Sequence, residues 1–291
     1  MNPPVKLSVV MVISFENPQL VADALASVFS SRTEFAYEVI VVDNASREAA
    51  AGLKSFGDKV KVLRNPENLG FTKANNRGAA VAGGEYLLFL NSDTKMSPDT
   101  LACLVEFMER NRQAGAVGPL VLNGDGTFQL SYGRPFSLFS EFWQKAVASR
   151  ATRGTDPQKL KTKEVGWVSG CCLLTRREYF PAGAVFDEHM FLYFDDSELC
   201  TRLRKAGKKI YFCPAARIVH LGGASVRSIP ARMAVEYRRS QLHLYRTHSP
   251  KWERWLLRRY LTCKFRSRLR KSRDESERQA SRQILDLLKN E

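Results

Sequence analysis

The sequence predicts an α/β fold, a sheet with parallel strands flanked by helices, followed by a basic helical extension. Three observations carry this expectation. Short, nearly continuous apolar runs recur through the first hundred residues, as in parallel strands covered on both faces. The stretches between them are long enough for one crossover helix each. Charge, finally, is unevenly spread. The chain holds 45 Lys+Arg and 30 Asp+Glu, a net +15, of which residues 227–291 supply 18 and 7, a net +11. The remaining body carries only +4. With 291 residues, 44% of them apolar, the chain can bury one sizeable core with an appendage, and disorder of the whole is excluded.

Each element has a local reason. Residues 7–14 (LSVVMVIS) form the first apolar run. Asn17-Pro18 then supplies a cap and a proline at the first helical position, opening a helix to about Ser31. Residues 38–42 (EVIVV) make a second strand ending at Asp43-Asn44-Ala45-Ser46, and a helix is expected over 48–56. A third strand at 60–63, a helix at 72–81, a Gly83-Gly84 turn and a fourth strand at 85–90 (EYLLFL) follow. Ser97-Pro98 opens a helix over 99–112.

Beyond this point the pattern changes. Residues 116–122 read as a strand entering the turn Asn123-Gly124-Asp125-Gly126, with 127–131 as hairpin partner. Residues 137–163 show weak periodicity and suggest a loop or lid with some helix. A strand at 165–175, a helix at 195–206 stopped by Gly207, and a last strand at 208–213 complete the body. Helices are expected at 251–271 and 274–289.

No run reaches the roughly 18 uncharged apolar residues of a spanning helix. The apolar start lacks a cleavage region, so a strand and not a signal peptide is expected, in a cytoplasmic protein. The six cysteines form no CxxC pair and no secreted-type framework; the adjacent Cys171 and Cys172 read as small buried apolar residues. Asn44-Ala45-Ser46 matches a glycosylation sequon that carries no weight in such a chain.

Ligands of open α/β sheets bind at the carboxyl ends of strands. Polar residues gather there: Ser14, Asp43-Asn44, Asn65 to Asn68 and Asn91-Ser92-Asp93. Any one of them is explained by turn and cap chemistry, four successive ones less readily. GxGxxG after the first strand and GxxxxGK[ST] are both absent, which argues against a dinucleotide oxidoreductase and a P-loop NTPase.

Taken together, these motifs resemble a family. Residues 9–15 (VVMVISF), Val41-Val42-Asp43-Asn44-Ala45-Ser46, Asn68-Leu69-Gly70-Phe71 with Asn75-Asn76, and Leu90-Asn91-Ser92-Asp93 are similar to the nucleotide-binding half of inverting family 2 glycosyltransferases of the GT-A fold. Trp167-Val168-Ser169-Gly170, residues 191–199 (FLYFDDSEL), Arg202, Gly207 and His220-Leu221-Gly222-Gly223 match the second half in order. The resemblance implies a GT-A domain over 1–225, with 226–291 as a basic amphipathic helical extension.

It further implies site residues. Asp43 resembles the carboxylate that fixes a uracil or thymine base, against a plain role capping the next helix. Ser14, Asn44, Asn68, Gly70, Asn91 and Ser92 resemble further nucleotide-sugar contacts. Asn91-Ser92-Asp93 stands where the family has its DxD metal motif, so Asp93 becomes the ligand of Mg²⁺ or Mn²⁺, with Asn91 a departure from the usual Asp. His220 is placed as a second metal ligand. Asp195-Asp196 resembles the acidic base motif, Asp196 as general base with Asp195 supporting, although acidic first turns also stabilise helices. On the acceptor side fall Trp167, Gly170 and Glu198, the last with Arg202 as an alternative i, i+4 partner.

The resemblance implies transfer of a sugar from a UDP- or dTDP-sugar, such as dTDP-rhamnose, to a glycan or lipid-linked acceptor in bacterial cell-surface polysaccharide synthesis. Within Lys251–Lys271, Trp252, Trp255, Leu256, Tyr260 and Cys263 fall at helical spacing, with Leu257, Leu261 and Phe265 widening the stripe among basic residues. Such a helix suits the inner face of an anionic membrane, as a peripheral contact. Docking on the body and nucleic-acid binding are the alternatives; no recognised nucleic-acid module accompanies the charge. A non-catalytic basic binder on a degenerate α/β scaffold is the competing function, and it has no use for convergent Asp93, Asp196 and His220.

Overall fold

The computed structural model describes residues 4–14, 17–141, 155–222 and 230–289. Among these, nine strands form one mixed sheet. They are β1 (Leu7–Ile13), β2 (Tyr37–Asn44), β3 (Val60–Asn65), β4 (Tyr86–Asn91), β5 (Thr94–Met96), β6 (Ala114–Leu122), β8 (Lys163–Val165), β10 (Cys172–Arg176) and β11 (Lys209–His220). The order is β3-β2-β1-β4-β10-β6-β11-β5, with β8 paired to β11. The first four strands are parallel; β10 runs antiparallel between β4 and β6. A separate two-stranded piece joins β7 (Tyr132–Gly133) to β9 (Trp167–Val168).

Both faces of the central strands β1, β2 and β4 are covered, which is why they read as nearly continuous apolar runs, whereas the edge strand β3 is largely exposed. Val9 and Met11 of β1 pack beneath helices α1 (Pro18–Phe29) and α3 (Thr100–Arg110), against Leu25, Val28, Leu101 and Leu104. Val10 faces the other way, with Phe89, Phe186 and Leu199 on the side of α2 (Phe71–Ala80) and α4 (Asp195–Lys205). This period-two alternation fixes the register of the central strands. Asn17 caps α1 as expected, its Oδ1 accepting the Gln19 N–H at 2.8 Å.

Several expectations change. The helix anticipated over 48–56 is two short 3₁₀ turns, Ala49–Leu53 and Gly57–Lys59. Gly52 sits where a Cβ would come within 2.3 Å of the Pro18 carbonyl, and Gly57 has φ +50°; glycine here sets close approach and a turn, not a helix. The hairpin at 127–131 reduces to one bridge, Leu122 to Phe128. The strand expected over 165–175 is split, because Ser169-Gly170 diverts β9 from the sheet before β10 begins. The last strand runs on to His220, a register shift between Cys213 and Arg217 absorbing Pro214. Phe15, Glu16, residues 142–154 of the expected lid, and Gly223 lie outside the described residues.

After the sheet come α5 (Pro230–His248), α6 (Lys251–Lys271) and α7 (Glu275–Lys289). Leu257, Leu261 and Phe265 form the inner face of α6, packed with Ile284 and Leu288 of α7 and Leu242 and Tyr245 of α5. Trp252, Trp255, Leu256 and Tyr260 are exposed on the opposite face, so the single broad stripe expected from sequence is two stripes. Docking on the body therefore accounts for one face only. All six cysteines are free, and Cys171, Cys172, Cys200 and Cys213 are buried, as small apolar residues are. Among the described residues no helix is long and apolar enough to cross a membrane.

Candidate active site

The carboxyl ends of β1, β2 and β4 open into a cavity of about 660 Å³. Ser14, Asn44, Asn68 and Gly70 line one side; Asn91, Ser92, Asp93 and His220 its floor; Trp167, Gly170, Asp195 and Asp196 the far side. Met233 and Tyr237 of α5 close it. Sequence residues far apart in the chain thus converge on one site.

The asparagines on the strand ends work as a network. Asn44 Nδ2 donates to Asn68 Oδ1 at 2.9 Å, and Asn44 Oδ1 accepts from Asn65 Nδ2 at 2.8 Å and the Leu69 N–H at 3.0 Å. Asn68 Nδ2 donates to Ser14 Oγ at 3.0 Å. These side chains hold the turn that leads to Gly70, whose φ is +85° and whose absent Cβ would lie 2.8 Å from the Phe191 carbonyl oxygen. Phe71 N–H donates to that same oxygen at 2.7 Å, so α2 is tied to the loop that carries the acidic pair. Asp43 lies outside the lining; its Oδ1 accepts the Ser46 N–H at 2.9 Å, the turn-capping role.

At the floor, Asp93 Oδ1 and His220 Nε2 are 3.2 Å apart. His220 Nδ1 lies 2.9 Å from Gln129 Oε1, a partner that places the ring proton on Nδ1. In the neutral ring, Nε2 and the carboxylate oxygen are then two acceptors in contact. A cation between them removes that repulsion. Ligands at about 2.1 Å from one metal stand roughly 3.0–3.4 Å from each other, so the spacing fits joint ligation. Asn91 Nδ2 approaches the same Nε2 at 3.4 Å. One carboxylate and one imidazole, open to a cavity with room for further oxygen ligands, would suit a divalent cation.

The acidic pair begins α4. Two consecutive aromatic residues before it, Tyr193 (φ 70°) and Phe194 (φ 60°), are left-handed, a costly backbone for side chains of this size. The Tyr237 ring holds them, 5.4 Å from Tyr193 and 4.8 Å from Phe194 between centroids. Asp196 faces the cavity, Oδ2 accepting the Gly170 N–H at 3.1 Å and Oδ1 the Ser197 N–H at 2.6 Å. Burial, then the neighbouring Asp196 charge, pushes the Asp195 carboxyl up to about 8. Burial also raises Asp196, against the hydrogen bonds from Gly170 and Ser197. A raised carboxyl beside a cavity is equipped to take a proton.

Glu198 is not brought into the cavity. It is buried, accepting from Arg202 Nη2 at 2.9 Å and lying 3.2 Å from His248 Nε2, so it pins α4 to the end of α5. Burial alone would raise its carboxyl, but the hydrogen bonds from His248 and Arg202 hold it below the usual range. Trp167 is half-buried on the wall, on β9. Gln129, Met233 and Tyr237 were missed from sequence. Met233 and Tyr237 lie in a helix that reads as tail, and Gln129 in an expected hairpin strand; an alternating apolar pattern over 128–132 was the one available signal.

The sequence profile of glycosyl transferase family 2 matches residues 8–182. N-acetylglucosaminyl-diphospho-decaprenol L-rhamnosyltransferase of Mycobacterium tuberculosis is 30% identical over 298 residues, covering 92% of this chain and 95% of that protein. Rhamnosyltransferase WbbL of Escherichia coli is 28% identical over 148 residues, 50% of this chain and 56% of that one. Among solved structures, GalNAc-T7 with UDP, GalNAc and Mn²⁺ superposes with a TM-score of 0.61 at 18% identity, over 83% of this chain and 48% of that one. A mannosyltransferase of Pyrobaculum calidifontis in complex with GDP-Man and Mn²⁺ gives 0.56 at 17%, over 85% and 64%. The shared architecture is the GT-A fold.

Proposed function

The chain belongs to glycosyl transferase family 2, and from that premise we propose that its cavity holds a nucleotide-diphosphate sugar against the strand ends and an acceptor hydroxyl beside Asp196. The observation that carries this reading is one cavity lined by both the Asp93–His220 acceptor pair and the raised carboxylates of α4.

In this reading Asp196 accepts the proton of the acceptor hydroxyl through the carboxylate that Gly170 and Ser197 orient. The hydroxyl oxygen bonds to the anomeric carbon as the bond to the diphosphate breaks, inverting that centre in one displacement. Asp195, on the same wall, is held toward its protonated form by burial and by the Asp196 charge, so that it supports Asp196 without competing as base. Asp93 and His220 would hold a divalent cation, Mg²⁺ or Mn²⁺, which neutralises the charge gathering on the departing nucleoside diphosphate. Ser14, Asn68, Asn91 and Ser92 border the nucleotide, Asp43 at the end of β2 would meet a base that extends beyond the cavity lining, and Trp167 offers a face for the acceptor sugar.

The relatives' names point to the substrates: a rhamnosyl donor of the dTDP or UDP class, and a hydroxyl on a lipid-diphosphate-linked sugar of bacterial cell-surface polysaccharide. A lipid-borne acceptor gives the outer face of α6 a use. Trp252 and Trp255, each 60% exposed among arginines, suit the surface of an anionic membrane. This would place the protein at the inner face of the cell membrane, with residues 226–291 serving both membrane and site.

Transfer of radiolabelled rhamnose from dTDP-rhamnose to a lipid-diphosphate N-acetylglucosamine tests the reading. Asp196→Asn should slow transfer by about 10²–10⁴-fold yet bind dTDP as the parent does. Wild-type turnover in that variant would remove Asp196 from the mechanism.

A further inference from the structure

Asp187, His189 and His243 form a second group of metal-ligating side chains. One ligand atom from each lies within 4.8 Å of the others. His189 Nδ1 is 2.8 Å from Asp187 Oδ1, and His243 Nε2 is 2.7 Å from Asp187 Oδ2. The two imidazoles are stacked, 5.3 Å between centroids at 17°. None of the three lines the cavity described above.

We propose that Asp187, His189 and His243 form a second metal site, for Zn²⁺, which clamps α5 to the loop before α4. Two imidazole nitrogens and one carboxylate oxygen are the donors of a borderline ion; Mg²⁺ and Mn²⁺ favour sites richer in oxygen. Loading asks for small changes. Each ring gives Zn²⁺ the nitrogen that now meets Asp187 and keeps its proton on the other. For His243 that proton sits on Nδ1, so Arg246 Nη2, now 3.0 Å from Nδ1, turns away. The two nitrogen–oxygen pairs open from hydrogen-bond separation to the roughly 3.0–3.4 Å of neighbouring ligands. His189, 78% exposed, leaves the fourth position to water.

The location gives the clamp a consequence. Asp187 and His189 stand a few residues before the left-handed Tyr193 and Phe194, and His243 stands on the helix whose Tyr237 covers both rings. Ser240 Oγ already ties this seam by donating to the Leu192 carbonyl at 2.7 Å. Zn²⁺ adds a further tie on the wall facing the acceptor.

Equilibrium dialysis of the full chain, freed of any affinity tag, tests the site, with Co²⁺ absorption as a spectroscopic probe of imidazole ligation. Asp93→Asn should retain one equivalent of Zn²⁺ that excess Mg²⁺ does not displace. In the Asp93→Asn background, where the cavity pair is disabled, His189→Ala removes a largely exposed ring; Zn²⁺ affinity should fall at least tenfold and the Co²⁺ band should vanish. No bound Zn²⁺ in the parent protein, retention by Asp93→Asn/His189→Ala, or loss in Asp93→Asn would each overturn the proposal. The outcome is independent of whether the cavity transfers sugar.

Discussion

Asp195 and Asp196 are adjacent in sequence yet meet different surroundings, and single-residue chemistry follows from that difference. Asp196 takes hydrogen bonds from Gly170 and Ser197; Asp195 is buried at 6% exposure. With the Asp195 value raised from 3.8 to about 8, the folded protein keeps a proton that the unfolded chain releases between those limits. Stability therefore falls as pH rises through that window. Asp195→Asn removes the penalty, so its thermal midpoint should exceed the parent's at pH 8 by more than at pH 5. Equal differences at both pH values would count against the raised carboxyl. Asp196→Asn should cost turnover about 10²–10⁴-fold with nucleotide affinity unchanged, as loss of a general base does. Gly70→Ala should destabilise by at least about 1 kcal/mol in urea unfolding, since a left-handed backbone and the Phe191 carbonyl both oppose a side chain.

Helix α5 shows what an element adds that its sequence conceals. The inner parallel strands β1, β2 and β4 were legible because each carries a nearly unbroken apolar run, and the acidic pair because a recognisable run over 191–199 surrounds it. Glu198 misled for the same reason: it belongs to that run, but its side chain points to Arg202 and His248. Within the helical extension expected over 226–291 the bounds of α5 were not legible, since residues 230–248 mix arginines with scattered apolar positions and its buried face is completed by α6, α7 and Phe136. The α6 stripes could not be separated by spacing alone, because apolar residues occur on both faces and only packing tells them apart. Tyr237→Ala removes the ring that covers Tyr193 and Phe194, so transfer should weaken with nucleotide binding retained. Leu261→Ala, cutting a fully buried contact between α6 and its neighbours, should cost about 2–5 kcal/mol in denaturant unfolding.

Charge acts on the scale of the whole molecule. A body near +4 and an extension of +11 give the protein one strongly positive end, where Trp252 and Trp255 are also exposed. Co-sedimentation with anionic vesicles should fall with salt and be lost in Trp252→Glu/Trp255→Glu, whereas neutral vesicles should capture little. At the strand ends of the body, one cavity brings the Asp93–His220 pair together with Asp195 and Asp196. Calorimetric titration of the parent protein with dTDP and UDP, with and without Mn²⁺, tests this arrangement most directly. Binding should strengthen with Mn²⁺ in the parent and lose that metal dependence in Asp93→Ala. Binding of neither nucleotide by the folded protein, or metal dependence that survives Asp93→Ala, would contradict it.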